Sequence, residues 1–345
     1  MTIKYNNIFI KEVSTCAYKD EKEGTFGKLY DKTYDDYYID EKTFEQAEMK
    51  MIKDSTSIVL SKANMNINDI DIVIGSDLSN QITANSYSSV SFNRPFIGIY
   101  NACASLCEGF ILGGSLLKNR NVNNILLNIS SHNMTAERQY RNPIEYGAPK
   151  PKRSTYTVTG STSCILTKEK TKIKLSAVTI GRTTDLGVTD TYDMGSVMAP
   201  AAAKTIYDYL LDTKTKVDDY DLILTGDLGV YGKEILKEYM KEEYNIDLKN
   251  KLKDASSLIY DRKKQTKVNA GGSGPACIAL VTYTDIINKL KKGKYKKVLL
   301  VATGALLSTT MSNQKLSIPS IAHLACLEVL KWYSYTHFFF VEQYV

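Results

Sequence analysis

Histidine is scarce in this chain: three among 345 residues, His132, His323 and His337. That leaves little material for paired acid–base catalysis or a histidine-rich metal centre. Six cysteines occur, at 16, 103, 107, 164, 277 and 326, but no CxxC pair, so no metal site and no structural zinc is expected. The longest strongly apolar runs are about ten residues, too short to span a bilayer. The opening MTIKYNNIFIKEV lacks the apolar core of a secretory signal. The Asn-X-Ser/Thr strings beginning at Asn128 and Asn133 therefore read as chance matches, and a reducing, cytoplasm-like compartment is expected. A basic block is lacking too. The net charge is +6, and lysines alternate with acids, as in KEYMKEEYNIDLKNKLKD. A solvated surface explains that pattern, and no nucleic-acid partner is expected.

What the chain does have is an internal repeat. DIDIVIGSD (69–77) has a counterpart in DYDLILTGD (219–227), each a short apolar strand ending in a small residue and an aspartate. NACASLCEGFILGGSLLKNRNVNNILLNISS aligns with GSGPACIALVTYTDIINKLKKGKYKKVLLVATG, both reading as turn, helix, loop and buried strand. Asn101 meets Gly274 and Ile125 meets Val298, 173 residues apart in each case. Two similar α/β halves are predicted, at 1–172 and 173–325, followed by an atypical tail at 326–345.

The helices predicted over Cys103–Lys118 and Pro275–Lys289 are apolar around the circumference for most of their length, so both must be covered on every side. Pro275 suits a first helical position, where no backbone N–H is needed. The economical arrangement places these two helices between two sheets with further helices outside, an α-β-α-β-α sandwich.

Several strings carry a family resemblance: SSHNMTAERQYRNPIEYG (130–147), YTVTGS (156–161), GVTDTYDMGSVMAPAAA (187–203), LTGDLG (224–229), GGSG (271–274), VATGALLS (301–308) and SIPSIAH (317–323). Together they resemble the stage V sporulation protein AD family, of thiolase-like fold. The resemblance implies a soluble subunit of the stage V sporulation A channel, peripherally associated with the spore inner membrane through the channel's membrane subunits. That assembly moves dipicolinic acid into the forespore and releases it at germination. The implied role is binding of dipicolinate, free or as its calcium chelate, with no catalytic residue and no cofactor beyond calcium carried by the ligand. A homodimer is also open. The chain departs from the family pattern at Pro275 and in its tail.

The alternative is a thiolase-like acyl-transfer or condensing enzyme with Cys103 as nucleophile. A helix start at Cys103 brings partial positive charge and free N–H groups that favour a thiolate. The supporting residues are missing, however. The strand end at Asp227 carries no histidine, the end at Thr303-Gly304 carries neither cysteine nor histidine, and Ala276 stands opposite Cys103 in the repeat.

The ligand-binding candidates are Cys103, Ser131, His132, Arg138, Arg141 and Gly304. Ser131, His132 and Gly304 end buried strands, where α/β proteins place ligands. Arg138 and Arg141 offer guanidinium forks that match carboxylates, unless they pair with Glu137 or Glu145. GGSG fails both nucleotide-binding patterns and reads as a tight turn. The tail carries seven aromatic residues among the thirteen from Trp332 to Tyr344, and one lysine, Lys331. It is expected to fold back on the core, to be an aberrant end, or to adhere to lipid weakly and reversibly, since no polybasic run accompanies it.

Overall fold

The computed structural model describes residues 1–330. The two halves are built alike. In the first, the strands Phe9–Tyr18, Ile72–Ser76, Phe96–Gly98, Asn124–Ser131 and Gly160–Thr167 follow one another in the chain. In space the third lies beside the second, then the fourth, the fifth and the first. The second half repeats this order with Ile173–Thr179, Leu222–Thr225, Leu252–Asp254, Lys297–Ala305 and Ser320–Val329. In both halves the second, third and fourth strands run parallel, and the last two pairings are antiparallel. The halves join through their first strands, where Phe9 faces Lys174 and Ile10 faces Ile173. The two half-sheets thus form one continuous hydrogen-bonded sheet.

Both faces of each half-sheet are covered, so the central strands are apolar without alternation. Ile125, Leu126, Leu127 and Ile129 are fully buried, as are Val298, Leu299, Leu300 and Val301. The helix Ser105–Leu116 lies between the half-sheets and touches strands of both. Its glycines permit that closeness: a Cβ on Gly109 would stand 2.4 Å from Leu127 Cδ1. The helix from Pro275 is interrupted, running as α-helix to Val281, as a π-turn over Thr282–Ile286, then as α-helix over Ile287–Lys291. The helices Phe44–Lys62 and Met194–Thr213 cover the outer faces, which completes the five layers.

Two boundaries differ from the sequence reading. The first buried helix starts at Ser105, so Cys103 precedes it and lies in the turn. The last strand runs through Cys326 to Val329, because Cys326 and Leu327 are fully buried between two neighbouring strands. The aromatic run Trp332–Tyr344 lies outside the described residues. No helix among the described residues is long and apolar enough to cross a membrane.

Candidate functional site

The turn 101–104 is held tightly. Ala102 has a left-handed φ of +50°. Ser105 Oγ donates to the Ala102 carbonyl at 2.8 Å, and the Ala104 N–H donates to the Asn101 carbonyl at 3.0 Å. Gly304, at the end of the strand Lys297–Ala305, makes room for the turn: a Cβ there would stand 2.5 Å from the Asn101 oxygen. The arrangement presents the Cys103 side chain to a small pocket of about 60 Å³. Tyr100, Tyr140, Arg141, Thr155, Asp227 and Gly274 share its wall.

Asp227 is the group that faces the thiol. Its Oδ1 accepts from Thr303 Oγ1 at 2.7 Å, and its Oδ2 accepts from the Gly274 N–H at 3.4 Å. Burial pushes the carboxyl up to about 7, against hydrogen bonds from Cys103 and Thr303 that pull it down. Burial also raises the Cys103 thiol well above its ordinary value, and the neighbouring Asp227 charge raises it further. The turn does not deliver the thiolate expected of a helix start, because an anion here would be poorly solvated and would lie beside a carboxylate.

Neither described histidine relieves this. His132 is fully buried and caps the helix Asn133–Tyr140: its Nδ1 accepts from the Met134 N–H at 3.2 Å. That leaves the ring proton on Nε2, 2.9 Å from the Tyr37 carbonyl oxygen. The ring lies between Tyr37 and Phe44, and burial lowers its pKa to about 4. His323 sits in the strand Ser320–Val329 behind the turn. Its Nδ1 accepts from the Gly181 N–H at 3.1 Å, and its Nε2 lies 3.0 Å from the Asn101 side-chain amide. Burial lowers it also to about 4.

Two residues of the pocket wall carry unspent donors. Arg141 follows the end of its helix, and its side chain is 7% exposed. One guanidinium nitrogen donates to Glu137 at 2.7 Å, and the side chain lies 5.9 Å from the Tyr192 ring. Its buried Nε and the buried Thr155 Oγ1 find no hydrogen-bond partner among the described residues. Lys150 also pairs with Glu137, at 2.7 Å, so the carboxylate holds two cations. A buried donor without a partner costs free energy that a bound acceptor returns.

Of the six candidate residues, Cys103 and Arg141 line this pocket. Ser131 and Gly304 lie behind its wall. Ser131 Oγ donates to the Val158 carbonyl at 2.7 Å and packs under Gly274, whose added Cβ would come within 2.9 Å of it. His132 sits in its aromatic cage away from the thiol. Arg138 pairs with Glu45, rather than with Glu137 or Glu145, in a separate outer cleft of about 780 Å³. Tyr100, Tyr140 and Leu307 form the partition between this cleft and the inner pocket. Tyr140 donates to the Leu78 carbonyl at 2.7 Å, so Tyr100 donates to Tyr140, at 2.5 Å. The sequence reading passed over Thr155, Tyr100 and Tyr140. It noted Asp227 only as a strand end without a histidine, although the repeat already set an aspartate there. Among the described residues no three His, Cys, Asp or Glu side chains cluster as a metal site.

The family model described as Stage V sporulation protein AD matches residues 1–328. Stage V sporulation protein AD of Bacillus subtilis (strain 168) is 43% identical over 317 residues, covering 92% of this chain and 93% of that protein. Among solved structures, 3-oxoacyl-(acyl-carrier-protein) synthase III of Aquifex aeolicus VF5 is similar at a TM-score of 0.55 and 14% identity. That match covers 93% of this chain and 99% of the other. A variant of Xanthomonas campestris OleA is similar at a TM-score of 0.60 and 12% identity, covering 94% and 98%. These neighbours establish the thiolase-like fold.

Proposed function

The chain belongs to the stage V sporulation protein AD family, and on that premise we propose that it binds dipicolinic acid without turning it over. The binding serves transport into the forespore and release at germination, in company with the membrane subunits of the stage V sporulation A channel at the spore inner membrane. One observation carries the reading: the group beside Cys103 is a carboxyl whose charge opposes a thiolate, while Arg141 Nε and Thr155 Oγ1 are left without partners. A general base must be able to take the thiol proton. Burial holds Asp227 near 7 and the Cys103 thiol well above its ordinary value, so passing the thiol proton to this carboxylate is uphill. Both described histidines are lowered to about 4 and have their ring nitrogens engaged. A guanidinium with a free donor suits one carboxylate of a pyridine dicarboxylate.

The inner pocket has the volume of about two waters. A planar ring with two carboxylates needs more, so it binds after the Tyr100–Tyr140 partition moves and joins the pocket to the outer cleft. Calcium, where it takes part, arrives with the ligand, whose own oxygens fill much of its coordination.

Titration calorimetry with dipicolinate, with and without calcium, tests this reading. Saturable binding that Arg141→Ala weakens by about 1–3 kcal/mol is expected, the range for a hydrogen bond involving a charged group. Sustained thiol release from acetyl- or malonyl-coenzyme A that disappears in Cys103→Ala would replace binding by acyl transfer.

A further inference from the structure

The lysines that look dispersed in the sequence are not dispersed on the molecule. The strand Gly160–Thr167 ends, and Ile173–Thr179 and Lys297–Ala305 begin, at the end of the sheet opposite the Cys103 pocket. The turns there carry exposed Lys170 and Lys172, and exposed Lys292, Lys294 and Lys296. Lys172 Nζ donates to the Lys291 carbonyl, so the two turns are in contact. A third turn follows the first buried helix and adds exposed Lys118 and Arg120. It is tied to the same surface by Lys168 Nζ, which donates to the Asn119 carbonyl at 2.8 Å.

The acids of this end are already engaged. Glu169 pairs with Lys11 at 2.5 Å, Glu12 with Lys291 at 2.9 Å, Asp285 with Lys289 at 2.6 Å and Glu328 with Lys174 at 3.7 Å. Asp71 and Asp221 accept from backbone N–H groups of the turns. The seven exposed cations make no ion pair among the described residues.

We propose that these three turns form a docking face for an anionic lipid bilayer. The cations stand on separate turns at one end of the sheet, an arrangement matched to a diffuse, extended layer of negative charge. Six of the seven are lysines, point charges without the planar fork used for bidentate recognition. The chain also leaves the described structure at this face: the Val329 and Leu330 N–H groups donate to the carbonyls of Lys296 and Lys172, at 2.9 and 3.0 Å. The aromatic residues that follow have the chemistry of the lipid–water interface.

The test uses the full chain and no dipicolinate, so it stands or fails apart from the ligand. Flotation is measured with vesicles of phosphatidylcholine, and of phosphatidylcholine with phosphatidylglycerol. Partitioning to the anionic vesicles about tenfold or more above the neutral ones is expected. It should be lost near 1 M salt, where screening acts within about 3 Å. Combining Lys170→Glu, Lys292→Glu, Lys294→Glu and Lys296→Glu should abolish it while leaving the melting temperature unchanged. Equal binding to neutral vesicles, no binding to either, or undiminished binding of the charge-reversed protein would overturn the proposal. Displacement from anionic vesicles by duplex DNA at matched phosphate concentration would reassign the face to nucleic acid.

Discussion

Asp227 sets the charge of the pocket. An unfolded aspartate ionises near 3.9, whereas in the fold burial holds this one near 7. Between those values the folded protein keeps a proton that the unfolded chain has lost. The stability this group contributes is therefore full below about 4 and is lost as pH rises through about 7. Asp227→Asn should flatten that part of the profile, seen as a smaller loss of melting temperature between pH 5 and 8 than in the parent protein. The same proton governs the ligand: free dipicolinate should bind more tightly at pH 6 than at pH 8, by roughly up to tenfold, and Asp227→Asn should remove the difference. With calcium bound, the ligand presents a cation, and the slope should vanish or reverse. Calorimetry at the two pH values checks both statements. Sequence made Cys103 conspicuous, because a cysteine between a turn and an apolar helix stands out. It could not show which arginine enters the pocket. Arg141 lies beyond the end of its helix, so helical spacing from Arg138 does not set its direction.

The duplication of strands and helices was legible because both halves bury the same elements on both faces, leaving matching apolar runs at matching separations. The left-handed turn at Ala102 was not legible, since nothing about an alanine announces a positive φ. Its partner was visible only as a small residue at a strand end. Gly304 can be nothing larger while the Asn101 carbonyl stays where it is. Gly304→Ala should cost about 1–3 kcal/mol in denaturant unfolding, as overpacking does, and should weaken dipicolinate binding by displacing the Cys103 turn. The Tyr100–Tyr140 partition behaves differently. Its hydroxyl chain ends on a backbone carbonyl in a wall between two spaces, so it acts on passage more than on contact. Tyr100→Ala should accelerate both association and release of dipicolinate in stopped-flow measurements, with a smaller change in Kd than in either rate. A changed Kd at constant association rate would make Tyr100 a contact residue instead.

At the scale of the whole molecule, two surfaces lie at opposite ends of one sheet, and the chain after Leu330 begins at only one of them. The composition concealed this, because a net charge of +6 and interspersed acids describe an average over the surface, whereas strand pairing gathers separated turns onto one end. The strand Ser320–Val329 runs between Lys297–Ala305 and Ile173–Thr179, so it belongs to the core and cannot be removed without opening the second half. Ending the chain after Leu330 removes none of the hydrogen bonds of that strand. Such a protein should melt cooperatively within a few degrees of the full chain and should titrate dipicolinate with the same affinity. Its partitioning to phosphatidylglycerol vesicles should fall but stay salt-sensitive, because the lysine turns remain while the aromatic side chains are gone. Ending the chain after Pro319 should instead abolish the cooperative transition. If the protein ending at Leu330 also lost its transition, residues 331–345 would belong to the core, and their aromatic side chains would act in folding instead of at a lipid surface.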